Sequence, residues 1–113
     1  MYFVVNSDLN MGKGKIAAQV AHAAIESYLH SKHIPIFNQW NKGAHAKVVL
    51  KAPEITLKYL IDTYHVSKNK DGIICFPIYD LGRTQVEPGS LTVISFSVCN
   101  RNQIPELRDL KLL

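Results

Sequence analysis

Lys15-Ile16-Ala17-Ala18-Gln19-Val20-Ala21-His22-Ala23-Ala24-Ile25-Glu26 carries the pattern that decides the fold. At about 100° per residue, Lys15, Gln19, His22 and Glu26 fall within roughly 60° of one another. Alanine, isoleucine and valine fill the remaining faces. The helix predicted from about Lys13 to Ser31 is apolar nearly all round, so it is expected to be covered on several sides by a sheet and a neighbouring helix. One narrow polar stripe on such a helix lines a cleft or meets solvent. Its Lys/Glu spacing taken alone also fits a solvated face.

Ahead of this helix, Tyr2 to Asn6 is a β-rich run closed by Ser7-Asp8, which reads as a strand. Asp8 to Gly14 is a polar, glycine-bearing loop. Behind the helix, His33-Ile34-Pro35 breaks the pattern, and Phe37 to Trp40 forms a brief second helix ended near Gly43. Lys47 to Lys51 is a second strand. Pro53-Glu54 opens another helix, running to roughly Val66, because proline and an acidic residue both suit a first turn. Ile73 to Tyr79 is a third strand, which Pro77 assigns to an edge or a bulge. A loop from Asp80 to Ser90 leads into a fourth strand, Leu91 to Val98, and a polar tail ends in Leu110-Lys111-Leu112-Leu113. Strands alternating with helices predict one layered α/β domain over residues 1–113.

A chain of 113 residues has room for one core and not two. Its hydrophobic share of 47% and charged share of 19% exclude an intrinsically disordered chain. No apolar run approaches the roughly 20 residues of a membrane helix, and the first residues lack the basic, then apolar, pattern of a signal peptide. Cys75 and Cys99 lie in apolar segments without metal-ligand spacing. As buried free thiols they imply a reducing compartment, so the chain is expected in the cytoplasm. The net charge of +4 suits a polyanionic partner such as nucleic acid, although small proteins also reach such an excess by chance.

Two loops carry the candidate chemistry. Asp8-Leu9-Asn10-Met11-Gly12-Lys13-Gly14 leads from a strand into a helix N-terminus, where backbone N–H groups and the helix dipole favour an anion. Its spacing is neither G-x-x-x-x-G-K-[ST] nor G-x-G-x-x-G, which weighs against a small nucleotide-binding protein. The second loop, Asp80-Leu81-Gly82-Arg83-Thr84-Gln85-Val86-Glu87-Pro88-Gly89-Ser90, joins two apolar strands. Asp80 is the first polar residue after its strand and belongs at the rim where open α/β sheets build their sites. Thr84 and Gln85 add donors and acceptors, and Arg83 adds a fork suited to phosphate. A plain turn capped by Asp80 is the alternative. Thr92 shares its predicted strand face with Ile94, Phe96 and Val98, as a buried hydroxyl or a site residue. The chain has no H-E-x-x-H, paired Cys-x-x-Cys or G-x-S-x-G. His22 and His45 have no metal partner at helical spacing, and His30 and His33 lie where the helix frays.

Met11-Gly12-Lys13-Gly14-Lys15-Ile16-Ala17-Ala18-Gln19-Val20-Ala21-His22-Ala23 closely resembles the signature of the type 2, archaeal and eukaryotic, peptidyl-tRNA hydrolases. Gly82 to Ser90, opened by Asp80, resembles that family's second signature. The order, the spacing, the intervening Lys-Val-Val-Leu-Lys strand and the terminal Leu-Lys-Leu-Leu also match, so the resemblance covers essentially the whole chain. It departs at Asn6, where an arginine is usual, at Leu81, where a small alanine is usual, and over Ser97 to Arg108, which lacks a Gly-Pro stretch.

The resemblance implies a four-stranded mixed sheet with helices on both faces. It also implies hydrolysis of the ester joining a peptide to the 3′ ribose of tRNA, with no metal or organic cofactor. Lys15, Asp80, Thr84 and Thr92 are the catalytic cluster it points to, while Gln19 and His22 match motif positions that fit substrate binding better than chemistry. No Ser-His-Asp arrangement is legible, so attack by water is expected rather than an acyl-enzyme. Asp80 would orient or deprotonate that water, Lys15 would stabilise negative charge beside the helix N-terminus, and the threonines would position water or substrate. Binding of the tRNA is assigned to Lys13, Lys42, Lys47 and Arg83, with Gln85 beside them, through phosphate contacts that carry little sequence information. A non-enzymatic RNA-binding module would keep the basic surface and lose the polar cluster, which is present here. Exposed apolar residues leave room for a homodimer.

Overall fold

The aromatic and β-branched opening run forms a strand, as such residues favour a pleated, half-buried surface: Tyr2–Asn6 is β1 in the computed structural model, which describes residues 1–65, 69–81, 87 and 89–113. Lys13–Ser31 is α1, and Pro35–Lys42 is α2, opened by proline at its first position. Val48–Ala52 is β2 and Glu54–Thr63 is α3, shorter than expected because the chain leaves helical geometry at Tyr64. Cys75–Tyr79 is β3 and Leu91–Phe96 is β4, each two residues shorter than the predicted strand. Two short 3-10 turns, Arg101–Gln103 and Pro105–Asp109, lead to β5, Lys111–Leu112.

Among the described residues the sheet has five strands, in the order β3-β4-β1-β2-β5, not the expected four. The added strand is the Leu-Lys-Leu-Leu tail, which pairs antiparallel with β2 through Leu50↔Leu112 and Lys51↔Lys111. Two ladder residues show no readable alternation, and the waiting edge of β2 alone makes them a strand. β1 runs parallel to β2 and antiparallel to β4, which runs antiparallel to β3, so the sheet is mixed. The C-terminal ends of β1 and β3 and the start of β4 therefore share one end of the sheet.

Helices cover both faces. Phe3, Val5 and Val93 pack with Ala23 and Phe37 beneath α1 and α2. Val4, Ile94 and Phe96 pack with Leu57, Leu60 and Leu107 beneath α3 and the C-terminal turns. The Tyr64 ring meets Phe96 edge-on at 5.7 Å, and its hydroxyl donates to Glu106, tying the end of α3 to those turns. Among the described residues no helix is long and apolar enough to cross a membrane.

The seam between α1 and the sheet departs from the expected apolar wrapping. Ile25 and Leu29 are 57% and 53% exposed, while the buried row is Gln19, Ala23, Ser27 and Ser31, spaced by four. Small side chains bring the helix close, and hydrogen bonds add to the apolar packing there. Ser27 Oγ donates to Phe96 O, Ser95 Oγ donates to Ala23 O, and Val98 N–H donates to Ser31 Oγ. At the other end of β1, buried Asn6 Nδ2 donates to Leu91 O at 2.8 Å and Glu54 Oε1 at 3.0 Å, while its Oδ1 accepts from Asp8 N–H. Asn6 thus joins β4, α3 and the first loop with one short side chain.

Candidate active site

Asp80 is fixed where β3 ends. Its N–H donates to Ser90 O at 2.9 Å, and its carbonyl accepts from Gly89 N–H at 2.8 Å, so the returning chain pins the backbone at the sheet rim. The carboxylate, 3% exposed, forms an ion pair with Nζ of Lys15, whose side chain is 8% exposed. Lys15 stands in the first turn of α1, whose N-cap, Gly12, has no side chain of its own to cap the helix. Burying either charge alone costs several kcal/mol, and pairing with hydrogen bonding offsets that cost. Helix start and strand end, 65 residues apart, are brought together as the two loops predicted.

One turn further along α1, buried Gln19 meets Thr92, whose Oγ1 donates to Oε1 at 2.6 Å. The same hydroxyl lies 3.1 Å from Ile78 O, and with a single proton it serves one acceptor at a time. Thr92 reaches α1 because of a β-bulge: Ile78 pairs with Val93 and Tyr79 with Leu91, leaving Thr92 as the extra residue. Simple alternation would have sent it with Ile94 and Phe96 to the α3 face, as expected from sequence. The bulge re-aims it onto the α1 face, a common service of bulges beside sites.

All four residues of the polar stripe, Lys15, Gln19, His22 and Glu26, line an open groove of about 1140 Å³ between α1 and β3. Phe76, Ile78, Asp80 and Leu81 form the opposite side, and Ile25 and His30 extend the helical wall. His30 stacks on Phe76 with centroids 4.9 Å apart. Sequence reasoning passed over these extensions, yet both carry a signal. His30 continues the stripe by one more i+4 step, and Phe76, Ile78 and Asp80 follow the period of two along one strand.

The other expected residues scatter. Lys13, exposed, begins α1 at the groove's mouth. Lys47 lies just before β2, at the opposite end of the sheet from Asp80, where its Nζ donates to His45 O and sits 5.2 Å over the Trp40 ring. Lys42 closes α2 on the same side of the chain's path, five residues earlier. Neither is brought to the Lys15–Asp80 pair. Arg83, Thr84 and Gln85 lie outside the described residues. Among the described residues no three His, Cys, Asp or Glu side chains gather where a metal ion could be held. Burial pushes the Cys75 thiol up to about 12 and the Cys99 thiol up to about 11, so neither offers a thiolate nucleophile at neutral pH.

The family described as Peptidyl-tRNA hydrolase PTH2 matches residues 1–113. A peptidyl-tRNA hydrolase of Methanococcus maripaludis is 42% identical over 113 residues, covering 97% of this chain and 95% of that protein. One of Methanocaldococcus jannaschii is 38% identical over 116 residues, covering 100% and 98%. The mitochondrial peptidyl-tRNA hydrolase 2 of Bos taurus is 42% identical over 97 residues, covering 83% of this chain and 52% of its own. A match along the full length, with relatives at this identity, makes the chain a member of the peptidyl-tRNA hydrolase PTH2 family.

Proposed function

We infer that this chain hydrolyses the ester between a peptide and the 3′ ribose of tRNA, releasing tRNA for reuse, and that residues 1–113 act as one catalytic unit. The observation that carries this reading is the buried Lys15–Asp80 pair at the head of a groove, in a chain of this family. Water is the nucleophile. Asp80 orients it and takes its proton as the oxygen bonds to the ester carbon. The Lys15 ammonium, beside the start of α1, stabilises the oxyanion until the carbon–O3′ bond breaks. The ribose oxygen leaves with the proton that Asp80 took from water, which restores the carboxylate. Thr92, held by Gln19, positions water or substrate, and Thr84 is assigned the same role.

An ammonium in this place supplies the charge stabilisation for which other hydrolases use a metal, so activity should persist in EDTA. Lys13, Arg83 and Gln85 are assigned to the acceptor end, Lys42 and Lys47 to more distant phosphates, and His22 to the substrate within the groove. Two free thiols support a cytoplasmic setting. Ile55 and Tyr59, 77% and 58% exposed one turn apart on α3, support a homodimer.

The test is release of tRNA from purified peptidyl-tRNA. General-base and oxyanion contributions are each worth about 10²-fold or more, so Lys15→Ala and Asp80→Asn should each lose at least that. Near-normal turnover in both variants sinks the assignment.

A further inference from the structure

The groove is longer than an ester requires. Its described lining runs along α1 from Gly14 to His30 and along β3 from Phe76 to Leu81. At 1.5 Å per residue, Lys15 to His30 spans about 22 Å. That length holds about six residues of extended chain at roughly 3.3 Å each.

The two ends differ in charge. Lys13 and Lys15 stand at the head, with the positive end of α1. Beyond Lys15 and Asp80, the described lining carries one formal charge, the Glu26 carboxylate, alongside His22 and His30. A track for RNA phosphates would need cations there, and the Glu26 carboxylate repels phosphates. The remaining wall is apolar: Ile25 is 57% exposed into solvent on α1, and Phe76 and Ile78 project from β3 toward that helix, as their partners Ser95 and Val93 do.

We propose that the tail of this groove is the peptide subsite: the chain esterified to tRNA extends from the Lys15–Asp80 head toward Glu26 and His30, against Ile25 and Phe76. This rests on the hydrolase reading above and adds the direction of the substrate. The tRNA then leaves the head on the Lys13 side. Recognition is by apolar contact and shape, which suits a substrate whose peptide sequence is arbitrary.

The experiment compares kcat/KM for two substrates with the same tRNA and the same esterified residue, one N-acetyl-aminoacyl-tRNA and one hexapeptidyl-tRNA. Wild type should favour the longer substrate by about tenfold, the scale of a few apolar contacts. Ile25→Ser, at an exposed position, and Phe76→Ala, checked for folding by circular dichroism, should bring that ratio close to one. Their affinity for deacylated tRNA should match wild type. Equal rates on both substrates in wild type overturn the proposal. So does an equal loss on both substrates, or weaker binding of deacylated tRNA, in the Ile25→Ser variant. Failure to cleave either substrate would instead refute the hydrolase reading itself.

Discussion

Removing one partner of the Lys15–Asp80 pair leaves the other charge buried without its counter-ion, which typically costs about 3–5 kcal/mol. Lys15→Met and Asp80→Asn should therefore each lower the urea midpoint as well as turnover. Combining them removes both charges, so the double variant should regain most of the stability and none of the activity. A double variant no more stable than the singles would show that the pair is not the source of the loss. Thr92→Val keeps the side chain's volume but removes the donor to Gln19. Turnover should fall about tenfold in that variant and recover in Thr92→Ser, by the same tRNA-release assay. The sequence made Lys15, Gln19, His22, Glu26 and Asp80 readable because helical and strand periods place them without knowledge of the rest. Thr92 was set on the wrong face, since an inserted ladder residue leaves no trace in an alternating pattern.

Helix α1 is attached to β4 by hydrogen bonds at small residues as well as by apolar packing, so its docking is sensitive to changes that spare hydrophobicity. Ser27 is fully buried and donates to Phe96 O. Ser27→Ala should cost about 1–2 kcal/mol, the loss of one buried hydrogen bond. The check is a lower urea midpoint with an unchanged slope, which marks lost stability rather than a changed unfolded state. This seam was not legible beforehand: serine at helical spacing reads as neutral, and only the position of β4 turns it inward. The edge position of β3 was legible from Pro77. Strand β5 was not, since its pairing depends on the free side of β2.

Across the whole molecule the two thiols set an alkaline limit. An ordinary thiol titrates near 9, while burial raises Cys99 to about 11 and Cys75 to about 12. A raised thiol pKa means the folded state holds the proton that the unfolded chain releases. The contribution is therefore complete below pH 9 and declines from there to about pH 11 for Cys99 and about pH 12 for Cys75, by up to about 1.4 kcal/mol per pH unit for each thiol. The melting temperature should fall over that interval, and Cys99→Ala should flatten the decline. An unchanged slope in that variant would remove Cys99 as a cause.

Pro77 has a consequence for the outer edge of the sheet. Ser97 N–H donates to Ile74 O, and Cys75 N–H turns the other way to Tyr64 O, so the odd residues of β3 direct their backbone outward. Proline at such a position forfeits no bond to β4, yet it denies the outer edge a continuous row of donors. That gap weakens the pairing of an extra strand on β3, the mode by which sheet edges hold extended peptides firmly. An extended peptide meeting that edge should therefore leave it sooner than it would an unbroken edge, and comparing peptide off-rates for wild type and Pro77→Val checks this.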